Sequence, residues 1–434
     1  MFSFKESLVA VFSVAMLVGL ITFVTPTRIQ GQSGDNQQPF NANVIRIKST
    51  AALSCDVGRL LRTPLQNLKV SNIRLTEDIQ SPADVLRKPN RGIVVEFPSR
   101  RFTTIQEAIN AVPDGGTLKL AAGLYLENDG LFVRDKTVFF EGPGHRHGST
   151  AILVAPRPDR VAPADSAVGV INFINAGGGA EGFEIFGGDA SIFTTGRSDR
   201  SITLKDMTLA DTGRAILHLA PSHLTVKDSL IRDCKWNGIS FAPKNLDLVP
   251  FIPKLVVTDT QLIGGDNVGI YVNHGDLEVI DDSLGGWPGG GIAVVNSSAL
   301  ILDNLLIQNG KFGILLWQSQ GVVLDAAIQD TTSVNGFLGD GISVWCSQVL
   351  LSGLEIENSE RAGLSNFDSH IDFGDIVMTC NSIDIDVEIG GQCVGVPPSF
   401  TDNGGILCGC PNGTGPCIAQ TSGPPSFFAM EGLE

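Results

Sequence analysis

One short element recurs along the chain at an almost fixed interval. It is a run of alternating residues that ends, in all but one case, in aspartate, and its last residue falls at Asp206, Asp228, Asp259, Asp281, Asp303, Asp325, Gly353 and Asp375. Five of the seven gaps are 22 residues, and the other two are 22 residues plus insertions of 9 and 6. Such a period is the signature of stacked repeat units. The chain from Ile202 onward is therefore predicted to be a solenoid.

A second mark, Gly-Ile, follows the first by ten residues in most units, as at Gly238, Gly269, Gly291 and Gly313. Each unit holds only short alternating segments, in which successive side chains point to opposite faces. A 22-residue unit cannot bury its own apolar face, so the units must stack with parallel strands about 4.8 Å apart. The predicted fold is all-β, a right-handed parallel β-helix, with the hand given by the usual crossover preference. The recurring aspartate is interpreted as a turn residue that satisfies backbone donors at a bend.

The segment Phe102–Asn128 precedes the repeat and predicts a short capping helix followed by a strand. Thr103 or Thr104 is placed to cap the helix, and the turn residues 113–116 end it. Thr117–Tyr125 reads as a strand. The apolar face of the helix is formed by Ile105, Ala108 and Ile109.

The N-terminus carries an apolar run, Leu8–Val24, that is long for a signal-peptide core and slightly short for a membrane-spanning helix. Both alternatives, a cleaved signal peptide or a retained anchor within residues 1–31, imply export, so the predicted location is secreted or cell envelope. Residues 32–90 are polar and predict a linker-like segment. The β-helix is assigned to residues 91–395, and residues 396–434 are assigned to a cysteine-containing tail.

Eight cysteines in an exported chain suggest disulfides. Their spacing fits no paired zinc-binding pattern, so the five near the C-terminus predict a stapled tail: Cys380, Cys393, Cys408, Cys410 and Cys417. Cys234 and Cys346 lie four coils apart, about 19 Å along the axis, which is too far for a bond between them. They are predicted to be buried thiols or to have partners in the tail.

The formal net charge of −16 argues against nucleic acid as a partner, because a chain that binds phosphates needs a basic surface. The same charge argues against anionic membrane surfaces, apart from the possible N-terminal anchor. No cofactor is predicted.

The segment Phe102–Asn128 resembles the opening of pectin-lyase-like right-handed β-helices, the pectinesterases especially. In that family a capping helix of the form FxTIQxAI leads into a first coil with a GxYxE-like strand, which here is Gly123–Glu127. With the Gly-Ile repeats, the resemblance covers about residues 95–390 and implies the fold.

The resemblance transfers no catalytic residue. The QDT, DFIFG and WGRPW elements of pectinesterases are missing, except for Asp372-Phe373-Gly374 in an ordinary turn mark. Of the polygalacturonase elements, only Asn273–Asp276 and Asp281-Asp282 have counterparts here. The DPH element of mannuronan epimerases and the WxDH pattern of many pectate lyases are both absent from the sequence. Whether the chain is an enzyme stays open; as one, it would be a polysaccharide lyase, epimerase or glycoside hydrolase.

The register predicts which side chains face outward beside the Gly-Ile strand, with the first mark taken at Ile216. One outward patch contains His218, Tyr271, Asn273 and His274. A lyase or epimerase needs a base, an acid and a group that neutralises the uronate carboxyl. His218, Tyr271 and His274 are therefore the catalytic candidates, and the alternative is an ordinary polar surface. Asn273 and Asn296 are candidates for binding substrate.

A second outward patch is an aromatic column formed by Trp317, Trp345 and Phe367 on consecutive coils. Aromatic faces suit stacking on sugar rings, which predicts a glycan-binding surface. Alternatively, the tail or a neighbouring subunit covers the column, making it a route to an oligomer. The segment Asp368–Asp372 also has oxygen ligands suited to Ca²⁺.

Two functions remain open at this point. The first is binding of a polysaccharide, with or without catalysis, on the Gly-Ile face. The second is a non-catalytic cell-surface or structural module. Fold alone does not decide between them.

Overall fold

The computed structural model describes residues 92–144, 150–156, 162–164, 166–334, 338–388, 397–410 and 417–420. The predicted signal peptide or anchor and the linker-like segment 32–90 lie outside the described residues. No helix in the described part of the chain is long and apolar enough to cross a bilayer.

The described strands form two parallel sheets, of 23 and 12 strands, and each coil contributes to three faces. Face 1 contains β1 (Val94–Phe97), β2 (Gly116–Leu120), β5 (Thr137–Glu141), β8 (Gly177–Glu181), β11 (Ile202–Lys205), β14 (Leu224–Lys227), β17 (Lys254–Thr258), β20 (Asp276–Ile280), β23 (Ser298–Leu302), β26 (Gln320–Leu324) and β33 (Ser399–Asp402). Face 2 contains β3 (Gly123–Leu126), β6 (Ala151–Val154), β9 (Glu184–Phe186), β12 (Thr208–Ala210), β15 (Leu230–Cys234), β18 (Gln261–Gly265), β21 (Ser283–Gly285), β24 (Leu305–Ile307), β27 (Ala327–Gln329) and β34 (Leu407–Cys408). Two strands run through both faces: β29 (Gln348–Glu357) and β31 (His370–Thr379). Face 3, the smaller sheet, contains β4 (Leu131–Arg134), β7 (Gly169–Ile174), β10 (Ala190–Thr195), β13 (Arg214–His218), β16 (Ile239–Phe241), β19 (Val268–Asn273), β22 (Gly290–Val295), β25 (Phe312–Trp317), β28 (Asp340–Trp345), β30 (Ala362–Phe367), β32 (Ile383–Glu388) and β35 (Ala419–Gln420).

Equivalent residues of successive coils lie side by side and fill one continuous core. On face 3 the register aligns Ile216, Ile239, Ile270, Ile292, Ile314, Ile342 and Leu364. On face 1 it aligns Leu204, Val226, Val257, Val279, Ile301, Val323, Leu351 and Phe373. All of these side chains are buried in the same cluster. The predicted right-handed parallel β-helix is confirmed.

The bends of the coil use left-handed backbone conformations. After face 1, φ lies between 50° and 57° at the recurring aspartates and is 67° at Gly353. Aspartate tolerates this region and glycine adopts it without strain, which explains both residue types at this mark. A second left-handed column follows face 3, at His274, Asn296, Gln318, Cys346 and Asp368.

The predicted N-terminal capping helix is α1 (Ile105–Ala111), and its N-cap is Thr104. The Glu107 N–H donates to Thr104 Oγ1 at 3.1 Å, and the Thr104 N–H donates to a Glu107 carboxylate oxygen at 3.3 Å. Gln106 covers the open edge of β4, because its amide donates to the Phe132 carbonyl oxygen at 3.0 Å and accepts from the Phe132 N–H at 2.7 Å. The single strand predicted for residues 117–125 is wrong: β2 and β3 lie on different faces, with a bend at residues 121–122.

The coil stack continues beyond residue 395. Strands β33 and β34 pair with β31, and β35 pairs with β32. Disulfides join Cys380 to Cys410 and Cys408 to Cys417, as expected for a stapled C-terminus. Cys346 is also disulfide-bonded, and Cys234 is buried. Cys393 lies outside the described residues.

Candidate functional site

His218 points into the solenoid, so its predicted outward orientation is wrong. The register pairs Ile216 with Ile239, which makes Ala215 the equivalent of Gly238. The Gly-Ile mark of this coil therefore has alanine in place of glycine, and it lies one residue earlier than the sequence analysis placed it. A shift of one residue in a strand moves every side chain to the opposite face.

The environment of His218 is that of a core residue. The imidazole stacks on the Phe241 ring with centroids 4.9 Å apart. Its Nδ1 lies 2.7 Å from Thr194 Oγ1, and its Nε2 lies 3.0 Å from the Ser222 carbonyl oxygen. Complete burial lowers the pKa of His218 to about 4. A neutral, fully buried imidazole with both nitrogens engaged cannot reach a substrate.

Tyr271, Trp345 and Phe367 lie on the outer side of face 3, but all three are buried. The rings of Trp345 and Phe367 stack with centroids 3.9 Å apart, and Trp345 Nε1 donates to Ser343 Oγ at 2.9 Å. They belong to an apolar cluster that is separate from the core. The aromatic column is real, since Trp317 pairs with Trp345 and Trp345 with Phe367. Its last two members nevertheless have no open face for a sugar or for a second copy of the chain.

Trp317 differs from the other members of the column because it is only partly buried, at the margin of the same cluster. The register places it beside Val295, which in turn lies beside Asn273. The indole packs against this cluster and keeps part of its surface exposed. This is what a stacking platform for a ligand requires.

Exposed polar side chains continue from Trp317 along the bend between face 3 and face 1. His274, Asn296 and Gln318 are exposed, each at a left-handed position of a successive coil. Asn273 is half-buried, and the Asn296 amide donates to its Oδ1 at 3.4 Å. We call these four residues together with Trp317 the amide edge. The structure thus brings together Asn273, His274, Asn296 and Trp317 of the predicted residues at the surface. Tyr271, Trp345 and Phe367 are buried in the cluster on which Trp317 packs, and His218 lies in the core.

One charged group on face 3 was missed by the sequence analysis. Arg361 donates to both carboxylate oxygens of Asp340, at 2.7 and 2.6 Å, to Asp386 at 2.5 Å and to Ser365 at 3.0 Å. Both aspartate side chains are fully buried. Because both carboxylates are held by one guanidinium, neither is an open acid or base. The three charges sit on three coils at unequal sequence spacing, and no motif signals them.

The segment predicted to bind Ca²⁺ is divided by its strand. Asp368 is buried at the bend, whereas His370 and Asp372 point outward from β31 with His370 Nε2 3.2 Å from Asp372 Oδ1. Within the described residues, no three or more histidine, cysteine, aspartate or glutamate side chains are grouped so as to hold a metal ion.

No protein-family model matches this chain, and no curated protein matches it. Among solved structures, the chain is similar to the catalytic unit of a thermostable α-1,3-glucanase from Streptomyces thermodiastaticus, at 14% identity and a TM-score of 0.46, over 70% of this chain and 65% of that one. It is also similar to the A-module of a mannuronan C-5 epimerase from Azotobacter vinelandii, at 15% identity and a TM-score of 0.47, over 74% of this chain and 95% of that one. A pectate lyase matches at 10% identity and a TM-score of 0.35, over 74% and 73% of the two chains. Likeness at this level concerns the fold alone. The fold of this chain is a right-handed parallel β-helix, as its Gly-Ile repeats predict.

Proposed function

We propose that the protein is an exported β-helix that binds a polysaccharide along the amide edge, with Trp317 as the ring on which a sugar stacks. The observation that carries the proposal is the partly exposed indole of Trp317 next to the exposed Asn296 amide. Carboxamides both donate and accept hydrogen bonds, which matches the hydroxyl groups of a sugar. Successive coils repeat at about 4.8 Å, so a linear chain laid along the axis meets a polar side chain on each of the three coils that carry His274, Asn296 and Gln318.

The proposed function is polysaccharide binding, and no catalytic reaction is assigned to the Gly-Ile face. The predicted acid and base do not meet there: His218 is inside the core, Tyr271 is buried, and only His274 is exposed. The disulfides Cys380–Cys410 and Cys408–Cys417 fit an oxidising compartment, which supports export to the cell surface or beyond.

The test is binding to a panel of neutral glycans and uronans, with release of unsaturated ends measured in parallel. We expect Trp317→Ala to weaken the binding of any retained glycan about tenfold, the equivalent of about 1.4 kcal/mol from a lost stacking partner. Asn296→Ala should weaken it less. Glu355→Ala, an exposed residue of face 2, is the matched control and should bind like the wild type. Equal affinity of wild type and Trp317→Ala would refute this site.

A second candidate, a non-catalytic structural or interaction module, is favoured by the burial of Trp345 and Phe367 in their own apolar cluster. In that case the outer side of face 3 is a packing surface. The same panel separates the two functions, because the module retains no glycan at all.

A further inference from the structure

A serine, a histidine and an aspartate lie in contact near the C-terminal end of the stack, on the outer side of face 1. His370 and Asp372 are two residues apart on β31 and therefore share a face. The register places Ser399 of β33 directly beside His370. Ser399 Oγ lies 2.8 Å from His370 Nδ1, and His370 Nε2 lies 3.2 Å from Asp372 Oδ1. Ser399 is exposed, and the imidazole remains 32% exposed.

We infer that Ser399 is the nucleophile of an ester-hydrolysing site, with His370 as its base and Asp372 as the group that orients the base. A nucleophile and a base within hydrogen-bond reach, with the base held by a third group, is the arrangement that activates a serine. Asp372 beside Nε2 favours the tautomer with its proton on Nε2. That tautomer leaves the Nδ1 lone pair pointing at the Ser399 hydroxyl.

The backbone of the nucleophile is held in place. The Ser399 N–H donates to the Ser369 carbonyl oxygen at 2.9 Å, and the Asn366 amide donates to the Ser399 carbonyl oxygen at 3.2 Å. Gln348 is paired with His370 on the preceding coil, and its side chain is exposed. Its carboxamide supplies an N–H of the kind that stabilises an oxyanion.

The reaction is a two-step acyl transfer to water. In the first step Ser399 Oγ attacks the ester carbonyl carbon, its proton passes to His370 Nδ1, and the bond from that carbon to the alcohol oxygen breaks as the same proton moves to the leaving alcohol. In the second step water gives a proton to Nδ1 and adds to the acyl carbon. The bond to Oγ then breaks, Oγ takes up that proton, and the carboxylic acid leaves.

The position of the site identifies the class of ester. His370 follows Asp368, which belongs to the same left-handed column as His274, Asn296 and Gln318, so the site lies two coils beyond Gln318 along the line of the amide edge. The substrate is accordingly a short acyl ester, such as an O-acetyl group, carried by the bound polysaccharide. This assignment of substrate rests on the proposed function, whereas the assignment of the nucleophile does not.

The test uses the full-length chain with 4-nitrophenyl acetate and with a fluorophosphonate that labels activated serines. We expect acetate release above background and a label on Ser399, located by peptide mass spectrometry. Ser399→Ala and His370→Gln should each lower the rate at least 100-fold. Asp372→Asn should lower kcat more than it raises KM, since it acts by positioning His370. Ser382→Ala, an exposed serine of the neighbouring bend, should keep the wild-type rate.

Failure of this inference is distinguishable from failure of the proposed function, because 4-nitrophenyl acetate contains no sugar. Absence of both turnover and label at Ser399 would overturn the nucleophile, whatever the glycan panel shows. Turnover of 4-nitrophenyl acetate with no acetate released from any acetylated polysaccharide would overturn the substrate class.

Discussion

At the residue scale, the recurring aspartates were expected to satisfy the backbone N–H groups at the bends. Polar side chains that follow the bends do this instead. In four consecutive coils the residue after the aspartate points inward and accepts the backbone N–H of its counterpart one coil earlier: Ser229, Thr260, Asp282 and Asn304. The other bend has the same arrangement with Ser297, Ser319, Ser347 and Ser369. The aspartates supply the left-handed turn, and these ladders satisfy the backbone donors.

Asp282 is the one carboxyl in its ladder, and its burial favours the protonated form. Ser229, Thr260 and Asn304 each donate to the carbonyl oxygen two residues earlier, at 2.7, 3.0 and 2.9 Å. Asp282 Oδ2 is buried and has no hydrogen-bond partner among the described residues. Burial raises the pKa of Asp282 well above its usual range. Because the folded-state pKa is raised, the stabilisation is complete below the unfolded-state pKa and is lost as pH rises through the folded-state pKa.

We therefore predict that Asp282→Asn raises the melting temperature, and that the gain is larger at pH 8 than at pH 4. The asparagine carries the missing donor at every pH. Thermal melts across this pH range check the prediction, with Asp228→Asn, in the exposed turn column, as the control. A gain that is the same at both pH values would show that Asp282 is ionised in the fold.

At the scale of the element, the fold could be predicted because its information is local and repeated. A 22-residue spacing marks each coil independently, and a single ambiguous coil does not disturb the others. The candidate site was predicted less accurately, because it depends on the exact strand register and on which outward side chains are buried by other segments. His218 was misplaced by one residue where alanine replaces glycine at Ala215, and the burial of Trp345 depends on packing outside its own strand. The contact of His370 with Ser399 joins segments with no shared motif.

At the C-terminal end of the capping helix α1, backbone carbonyl groups accept hydrogen bonds from a side chain that is distant in sequence. Lys136 Nζ donates to the carbonyl oxygens of Ile109 and Val112, both at 2.7 Å. The Ile109 carbonyl oxygen also accepts the Val112 N–H at 3.1 Å, whereas the Val112 carbonyl lies past the last residue of the helix. Lys136 is half-buried, and this burial lowers the pKa of its ammonium.

We predict that Lys136→Met lowers the free energy of unfolding by about 1–3 kcal/mol and speeds amide exchange in residues 105–112. Lys119→Met is the matched control. Its ammonium is half exposed and lies 3.7 Å from Glu141, and an exposed pair of this kind contributes at most about 1 kcal/mol. Urea unfolding and hydrogen exchange measure the two effects. Equal losses in both variants would contradict a capping role for Lys136.

At the scale of the whole molecule, each coil contacts only its neighbours. A side chain that bonds to residues on three coils therefore links two interfaces between coils. Arg361 is such a group, since it joins Asp340 on one side to Asp386 on the other. Its guanidinium also lies 5.5 Å from the centre of the Phe367 ring. In a solenoid, stability is close to a sum of coil and interface contributions. A three-coil bridge couples interfaces that would otherwise open separately.

Removing the arginine alone should therefore cost more than removing the whole network. We expect Arg361→Met to lower the free energy of unfolding by about 3–5 kcal/mol, because it removes the guanidinium that pairs with two buried carboxylates. The loss should shrink as pH falls, because burial raises the pKa of the Asp340 carboxyl. Adding Asp340→Asn and Asp386→Asn to Arg361→Met should recover most of the stability, since no buried charge then remains. Urea unfolding at pH 5 and pH 8 compares the variants. If the triple variant is as unstable as Arg361→Met, the loss comes from packing around Phe367, and the charges are not what holds these coils together.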